Sequence, residues 1–573
     1  MLQPKTFIEK YNVLHKVWLL AVVLLVLSIF FFRLYRLPEY LMFLSDQGRD
    51  AIVLKRLVTL EKLVFVGPTT SIGNVFTGPF YYYLVAPFMF LSGLHPVGPA
   101  FGVALMNSLG LVSIFWYVLK KFGRVTGLMF LALAGLSATQ IWQSRYSWNP
   151  NPVPLFTFLT LVAWEAAMIN RKARYFALAG ILFGFSLQLH YIAIIILVPL
   201  VLSLVQTVIT SKQGKAHDGS MIHLMQDVAK GATVFFLSSV ATFAPLIVFE
   251  IKNRFVNTQT FIRAFSAGEI QAKNSVFIDR LRDTCAGLLQ HVFLIEVNRD
   301  LALWIVVLFL AAIWYFAFRD RRSGAKIVQW SSIVVLVNIL ALSRLETGRH
   351  VHYYNPSYWL VYLLIAYLVL SIRSALKALV RQCKQYFISG EVCSDECVGM
   401  QEGVHPSGKV IECCTACRNR MARKYHPEKT VFVIYVLFIS ACLSWYAVTQ
   451  LKSLYFLTDK PKEHTQITHA QHVAKYIIDQ TKTQQFQVVG LPFYEIEGHY
   501  RYFLEYYGHR PMPADALGDP QELFVICHEL NKPDCDIPGN PQWQIADFQN
   551  RHQDWRVESE KLVEEVRVFK LVY

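Results

Sequence analysis

Residues 78–94 read GPFYYYLVAPFMFLSGL. The run is apolar and aromatic, but it is short, opens on Gly78-Pro79 and is interrupted by Pro87. A membrane-crossing helix needs about 20 apolar residues. Whether this run crosses decides the sidedness of everything after it. Other apolar runs of roughly spanning length lie at 17–33, 98–119, 125–142, 154–170, 175–190, 191–209, 231–249, 301–317, 327–343, 356–372 and 430–449. If 79–94 does not cross, the basic connections KKFGR (120–124), RKAR (171–174), SKQGK (211–215), FRDRR (318–322) and RSALKALVRQCK (373–384) all share the side of the N-terminus. If it crosses, all of them move to the other side. Lys and Arg collect in cytoplasmic loops, so the first arrangement is expected. It has about eleven transmembrane helices, a cytoplasmic N-terminus, and 79–94 as a juxtamembrane or re-entrant helix on the outer face. Residues 34–97 then form one large outer loop.

The composition agrees with a polytopic α-helical membrane protein. Of 573 residues, 54% are hydrophobic and only 17% charged, with a mean hydropathy of +0.35; soluble globular chains carry about 25% charged residues. The formal charge of +15 is divided among short cytoplasmic loops, which argues against a nucleic-acid partner. Lys5, Lys10 and Lys16 precede the first apolar run, but no small-residue cleavage site follows it, so it reads as a retained span. After 449 the character changes. FQVVGL (486–491), LFVIC (523–527) and VRVFKLV (566–572) read as strands, and 469–481 and 499–508 as helices. The expectation is a transmembrane domain over 1–449 and a small extracytoplasmic α/β domain over 450–573.

The cysteines divide by side. Cys527 and Cys535, in CHELNKPDC, fall in the outer domain, where an oxidising compartment permits a short-loop disulfide. Cys393 and Cys397 in CSDEC, and Cys414 and Cys417 in CCTAC, lie in a cytoplasmic loop over 383–429. Their spacing can close a structural zinc site; a loop with incidental thiols is the simpler alternative.

The chemistry concentrates in FLSDQGRDAIVLKRL (43–57), which sets Asp46, Arg49 and Asp50 within five positions at the membrane surface. From Gln47 onward the stretch reads as an amphipathic helix. Val53, Leu57, Leu60 and Val64 share one face and Lys55, Thr59 and Lys62 the other, a pattern suited to the interface plane. Capping by Ser45 or Asp46 accounts for one acid and leaves Arg49 and Asp50. A carboxylate at the rim suits general-base work, with Asp46 first and Asp50 second. Arg49, Arg145, Arg254 and Arg349 are outer guanidiniums able to clamp a phosphate. Glu250 and Arg254, four apart, also fit a simple ion pair. Gln188, His190 and Tyr191 form a polar trio at a tight turn, and His350 follows Arg349 in ETGRHVHYY (346–354). An interfacial belt explains such aromatics and arginines equally well. His350 and His352, two apart, lack a third ligand nearby in sequence.

The order of these features carries a resemblance. A first span, a large outer loop opening on an acidic motif, and then GPFYYYLVAPF resembles the GT-C class of integral-membrane glycosyltransferases. Within it the likeness is to the family 39 branch, with protein O-mannosyltransferases and lipid A aminoarabinose transferases. FLSDQGRDA is similar to the branch's Asp-Glu-type motif, Gly78-Pro79-Phe80-Tyr81 to its Pro-Pro-Leu-Tyr-like segment, and QSRYSWNPNPVP (143–154) to its third-to-fourth-span loop. The likeness covers roughly residues 15–250 and loosens afterwards. It implies a polyprenyl-phosphate sugar donor, a protein, lipid or glycan acceptor at the outer face of the plasma membrane, inversion at the anomeric carbon, and Asp46 as the acid. Two positions depart from the branch. Gln47 follows Asp46, so a second carboxylate must come from Asp50, and Asn149 or Asn151 replaces the acid of the 143–154 loop. Chemistry needing no cofactor is therefore expected ahead of a divalent cation. A flippase of lipid-linked sugars is the competing reading; it calls for mid-membrane charges and paired broken helices.

Overall fold

The computed structural model describes residues 4–70, 75–213, 218–266, 276–320, 324–345, 350–389, 427–459, 466–492, 497–513, 518–528 and 535–573. The helices up to the last span are α1 (Pro4–Leu34), α2 (Ser45–Val58), α3 (Phe80–Leu91), α4 (Val97–Phe122), α5 (Arg124–Leu136), α6 (Ala138–Gln143), α7 (Val153–Asn170), α8 (Ala173–Leu189), α9 (Leu197–Gln213), α10 (Asp218–Thr242), α11 (Ala244–Lys252), α12 (Val256–Ser266), α13 (Phe277–Phe293), α14 (Arg299–Arg319), α15 (Ala325–Leu342), α16 (Tyr358–Ser389) and α17 (Pro427–Lys452). Among the described residues, eight helical segments are long and apolar enough to cross a membrane, or nine if α10 and α11, bent by 61° at their junction, count as one span. The shorter apolar helices α5 and α8 complete the set of eleven runs marked by hydropathy. α3 stops at 12 residues. It packs against α2, α4 and α8.

Small residues bring the spans together. Gly180 and Gly184 lie one turn apart on α8, and a Cβ on either would come within 2.2 Å of atoms of α10. Close backbone approach at a small-xxx-small stripe is the usual means of packing helices without a hydrophobic drive between them. The break between α5 and α6 is satisfied from inside. Ser137 Oγ accepts from Tyr362 Oη at 2.7 Å, and Ala138 N donates to Gln450 Oε1 at 2.7 Å. Backbone freed at membrane depth is tolerated only when protein groups take it up.

Residues 466–572 build an α/β layer from α18 (Gln466–Gln480), β1 (Phe486–Leu491), α19 (Gly498–Tyr506), β2 (Glu522–Cys527), α20 (Trp543–Arg551), β3 (Arg556–Val563) and β4 (Val566–Val572). The sheet order is β1-β2-β4-β3, parallel at β1–β2 and antiparallel elsewhere. Alternation explains why β1 and β2 are buried throughout. Phe524 and Ile526 face the core shared with α18, α19 and the bundle, while Leu523, Val525 and Cys527 face Ile545 and Phe548 of α20. Phe43 packs edge-on against Tyr502 and Phe503, so the membrane core and the bundle-facing side of the sheet are continuous.

The stretch 43–64 differs from its expected form. α2 ends at Val58, and Leu60 sits in a left-handed turn (φ 59°), 83% exposed. The buried face is Gln47, Asp50, Ala51, Leu54 and Leu57, not the face through Val53 and Leu60. The cause is α19, which covers α2. A Cβ on Gly48 would lie 2.2 Å from His499 N, and one on Gly498 would lie 2.4 Å from Ser45 O. The helix is therefore sandwiched between protein layers rather than laid open to lipid.

Gly180→Val should force a side chain into the α8–α10 contact and cost about 1–3 kcal/mol. Thermal unfolding in detergent checks this; a variant as stable as the parent would remove α8–α10 packing from the account.

Candidate active site

α2, α3, the α6–α7 loop, the α8–α9 turn and the segment before α16 gather at one end of the bundle, under the α/β layer. α2 starts without a side-chain cap. Its N-cap is Leu44, whose N–H donates to Gln47 Oε1 at 3.1 Å. Neither Ser45 nor Asp46 serves as the cap, so the structural role foreseen for an acid there falls away. Asp46 stands in the first turn with its side chain 48% exposed, 3.1 Å from Arg49 Nη1.

Asp50, one turn further on, is 1% exposed. Its Oδ1 accepts from Tyr82 Oη at 2.8 Å and from Arg49 Nε and Nη2 at 3.1 Å each. Oδ2 is buried, with no hydrogen-bond partner among the described residues. Burial pushes the Asp50 carboxyl above the usual carboxylate range, against the opposing pull of Arg49 and Tyr82. One guanidinium thus bridges two acids in unlike surroundings, a fixed inner one and an accessible outer one. Environments that set two carboxylates apart divide their chemical roles. Here the inner acid holds the arginine, and the arginine orients the outer acid.

The remaining candidates separate into those facing this end of the bundle and those consumed by the fold. Arg145 donates to the carbonyls of Phe32 and Tyr35 at 2.9 Å and of Arg36 at 3.3 Å, and lies over the Phe456 ring at 3.8 Å. Its burial lowers it to about 10. It closes the end of α1 and is not presented to a ligand. Gln188 accepts from Phe80 N and donates to Thr242 O, fastening the start of α3 to α10. Tyr191 Oη donates to Phe76 O at 2.7 Å. Asn149 donates to Leu189 O at 2.6 Å and Asn151 to Tyr146 O at 3.0 Å, so both shape the α6–α7 loop. Glu250 does not pair with Arg254. It caps α12 through Asn257 N, Thr258 N and Thr258 Oγ1, while Arg254 is exposed in a left-handed turn (φ 54°).

His190 and His350 meet through His352. Ring centroids are 5.6 Å apart for His190–His352 and 5.8 Å for His350–His352, with Trp148 at 4.6 Å from His352. The third imidazole that the linear spacing lacked comes from the α8–α9 turn. Burial lowers His352 to about 3, and its two histidine neighbours add to the effect. Among the described residues, no set of three or more His, Cys, Asp or Glu side chains is arranged to hold a metal ion. Arg349, Cys393, Cys397, Cys414 and Cys417 lie outside the described residues. Cys527 and Cys535 are joined in a disulfide, with Cα atoms 5.8 Å apart.

Three features escaped the linear reading. Tyr82 is the hydroxyl that holds Asp50. Tyr81 bonds Ser147 at 2.5 Å, tying α3 to the α6–α7 loop. Glu505 of α19 is the third, with its side chain 4% exposed and bonded to Lys55, Arg56 and Arg510. The repeated tyrosines at 81–83 were the available signal for the first two; the last needs the folded chain.

A family model for dolichyl-phosphate-mannose-protein mannosyltransferases matches residues 77–226. The solved structure of ArnT from Cupriavidus metallidurans bound to undecaprenyl phosphate is similar over 96% of this chain and 97% of that one, with a TM-score of 0.54 at 13% identity. The chain has the GT-C glycosyltransferase fold. Apo ArnT from the same organism overlays with the same coverage, a TM-score of 0.52 and 14% identity. No curated protein matches by sequence. Within the GT-C fold, the segment matched by the family model begins after Asp50 and takes in Tyr81, Tyr82, Asn149, Asn151 and His190 but not the acids of α2.

Burial alone would raise the Glu505 carboxyl. The Arg56 hydrogen bonds and the charges of Arg56, Lys55 and Arg510 outweigh it and hold the group below the ordinary glutamate range. Its stabilising contribution is therefore complete above the unfolded value, about 4.3, and is lost as pH falls through the lower native value. Glu505→Gln should destabilise the α2–α19 contact by up to about 3–5 kcal/mol and flatten that acid dependence. Limited proteolysis of residues 450–573 against pH reads both effects; an unchanged cleavage profile would show that the ion cluster does not hold the layer in place.

Proposed function

We propose that this protein is a membrane glycosyltransferase, moving a sugar from a polyprenyl-phosphate donor to an acceptor at the extracytoplasmic face, with Asp46 as general base. The observation that carries the reading is the Asp46–Arg49–Asp50–Tyr82 chain, in which a buried, anchored acid holds an arginine against an accessible one. The donor class draws on the ArnT structure bound to undecaprenyl phosphate and on the dolichyl-phosphate-mannose description of the family model. The sidedness draws on the basic connections such as 120–124 and 171–174, whose Lys and Arg favour the cytoplasmic side.

In this mechanism Asp46 takes the proton of the acceptor hydroxyl as its oxygen bonds to the anomeric carbon. The bond from that carbon to the phosphate oxygen breaks, the electron pair leaves with the lipid phosphate, and the configuration inverts. Asp50 is a positioning residue acting through Arg49. His350, with His352 and His190 beside it, is the group assigned to the phosphate, and Arg349 is kept for the same role from its place next to His350 in the sequence. Arg254 is kept as a rim cation for the same anion. Gln47, Asn149 and Asn151 supply no extra carboxylate, so the reaction is read as independent of a divalent cation.

The test is transfer of labelled sugar from a panel of polyprenyl-phosphate sugars by purified protein. Asp46→Asn should lower turnover by about 10²–10⁴-fold, with donor binding kept. Tyr82→Phe should lower it less, because it loosens only the positioning of Arg49. EDTA should leave wild-type turnover unchanged. An active enzyme indifferent to Asp46→Asn would end the base assignment, and inhibition by EDTA reversed by a divalent cation would end the cation-independent reading. The broken spans at Ser137 and Phe243 favour a second reading, a flippase of lipid-linked sugars. Donor translocation in proteoliposomes, with no transfer from any donor, would favour it over the transferase.

A further inference from the structure

The end of the bundle away from the acids carries a cavity of its own, between the last two spans. Arg373, Leu376, Lys377 and Val380 of α16 face Val431 and Phe432 of α17 across a cavity of about 270 Å³. Arg373 lies fifteen residues along α16 from Tyr358, about 22 Å at 1.5 Å per residue. With a hydrocarbon core of about 30 Å, Arg373 lies just inside the far membrane surface, and Lys377, one turn further and about 28 Å along the helix, reaches it.

The lining divides by chemistry. Arg373 and Lys377 are four residues apart and so share one face of α16, and among the described residues no carboxylate lines the cavity. The Arg373 guanidinium lies 4.7 Å from the centre of the Phe432 ring, which holds it across the gap between the helices. Beside it Tyr435 Oη donates to Val369 O at 2.5 Å, pinning α17 to α16. Leu376, Val380 and Val431 make the rest of the wall apolar. Two cations over an apolar slot, at headgroup depth, match a ligand with a phosphate at one end and a hydrocarbon chain at the other. Basic pockets between membrane helices bind anionic lipid headgroups in this way. A zwitterionic headgroup brings its own cation and gains less.

We propose that this cavity binds an anionic phospholipid of the bilayer, its phosphate between Arg373 and Lys377 and an acyl chain along Leu376, Val380 and Val431. The site is independent of the transferase reading and lies at the other end of the bundle. Bound there, the lipid bridges α16 and α17.

Native mass spectrometry of the full-length protein tests it, after exchange into detergent with equal amounts of phosphatidylglycerol and phosphatidylcholine of the same chain length. The wild type should retain phosphatidylglycerol over phosphatidylcholine by roughly 10- to 30-fold, the scale expected of two cations. Arg373→Gln with Lys377→Gln should abolish the preference. Arg171→Gln with Arg174→Gln, which leaves the cavity untouched, should keep it. Val380→Trp fills the slot without changing charge and should also lower retention. Thermal unfolding without added lipid identifies any variant that fails to fold, and only folded variants are compared. An equal preference in the cavity and control double variants, or no preference in the wild type, would overturn the assignment.

Discussion

A carboxylate buried at the rim of a membrane bundle is costly unless cations and donors meet it. Asp50 is such a group, and much of this end of the molecule is arranged around it. Its partner hydroxyl, on Tyr82, requires the start of α3 to pack against α2. The start of α3 is fastened by Gln188 to α8 and through it to α10, and Tyr81 next door is fastened to Ser147. The short aromatic helix is thus held on several sides by polar contacts, and its neighbour Arg49 is aimed by the same acid. Asp46 needs none of this for its own burial. It profits from the rigidity of what lies behind it.

The second constraint is steric. Gly48 and Gly498 let α2 and α19 approach until backbones touch, and the Glu505 cluster supplies charge pairing beside that contact. Apolar rings of Phe43, Tyr502 and Phe503 continue the interface into the membrane core. Between them these contacts make the α/β layer a lid of fixed position over the helix that carries the acids.

Hydropathy was enough to find the long apolar helices, because lipid demands long apolar runs. Strands β1, β2 and β4 were also legible, being short, largely apolar runs buried along most of their length. β3 was not: RVESEKLV carries five polar residues in eight, and it pairs as the exposed edge beside β4. α20 escaped for a related reason, since its apolar face is only Ile545 and Phe548 in a polar stretch. At the candidate site the sequence pointed to Asp46, Arg49 and Asp50 by their crowding. It overvalued Arg145, Gln188 and the asparagines, because a polar side chain spent on a backbone carbonyl looks the same in one dimension as one offered to a ligand. The α2 register was misjudged because α19, its cover, lies some 450 positions away.

That separation bears on how the molecule is made. The ribosome releases Lys55 and Arg56 long before Glu505 exists, with about 450 residues between them. At roughly 5–20 residues per second, α2 waits about 20–90 s with its glycine notch and basic flank uncovered. During that interval the acids are present but their roof is not, and an incomplete chain in the membrane holds an open, unfinished cleft. A segment made some 450 residues later thus completes the site that α2 begins, and its arrival is the step that closes the cleft.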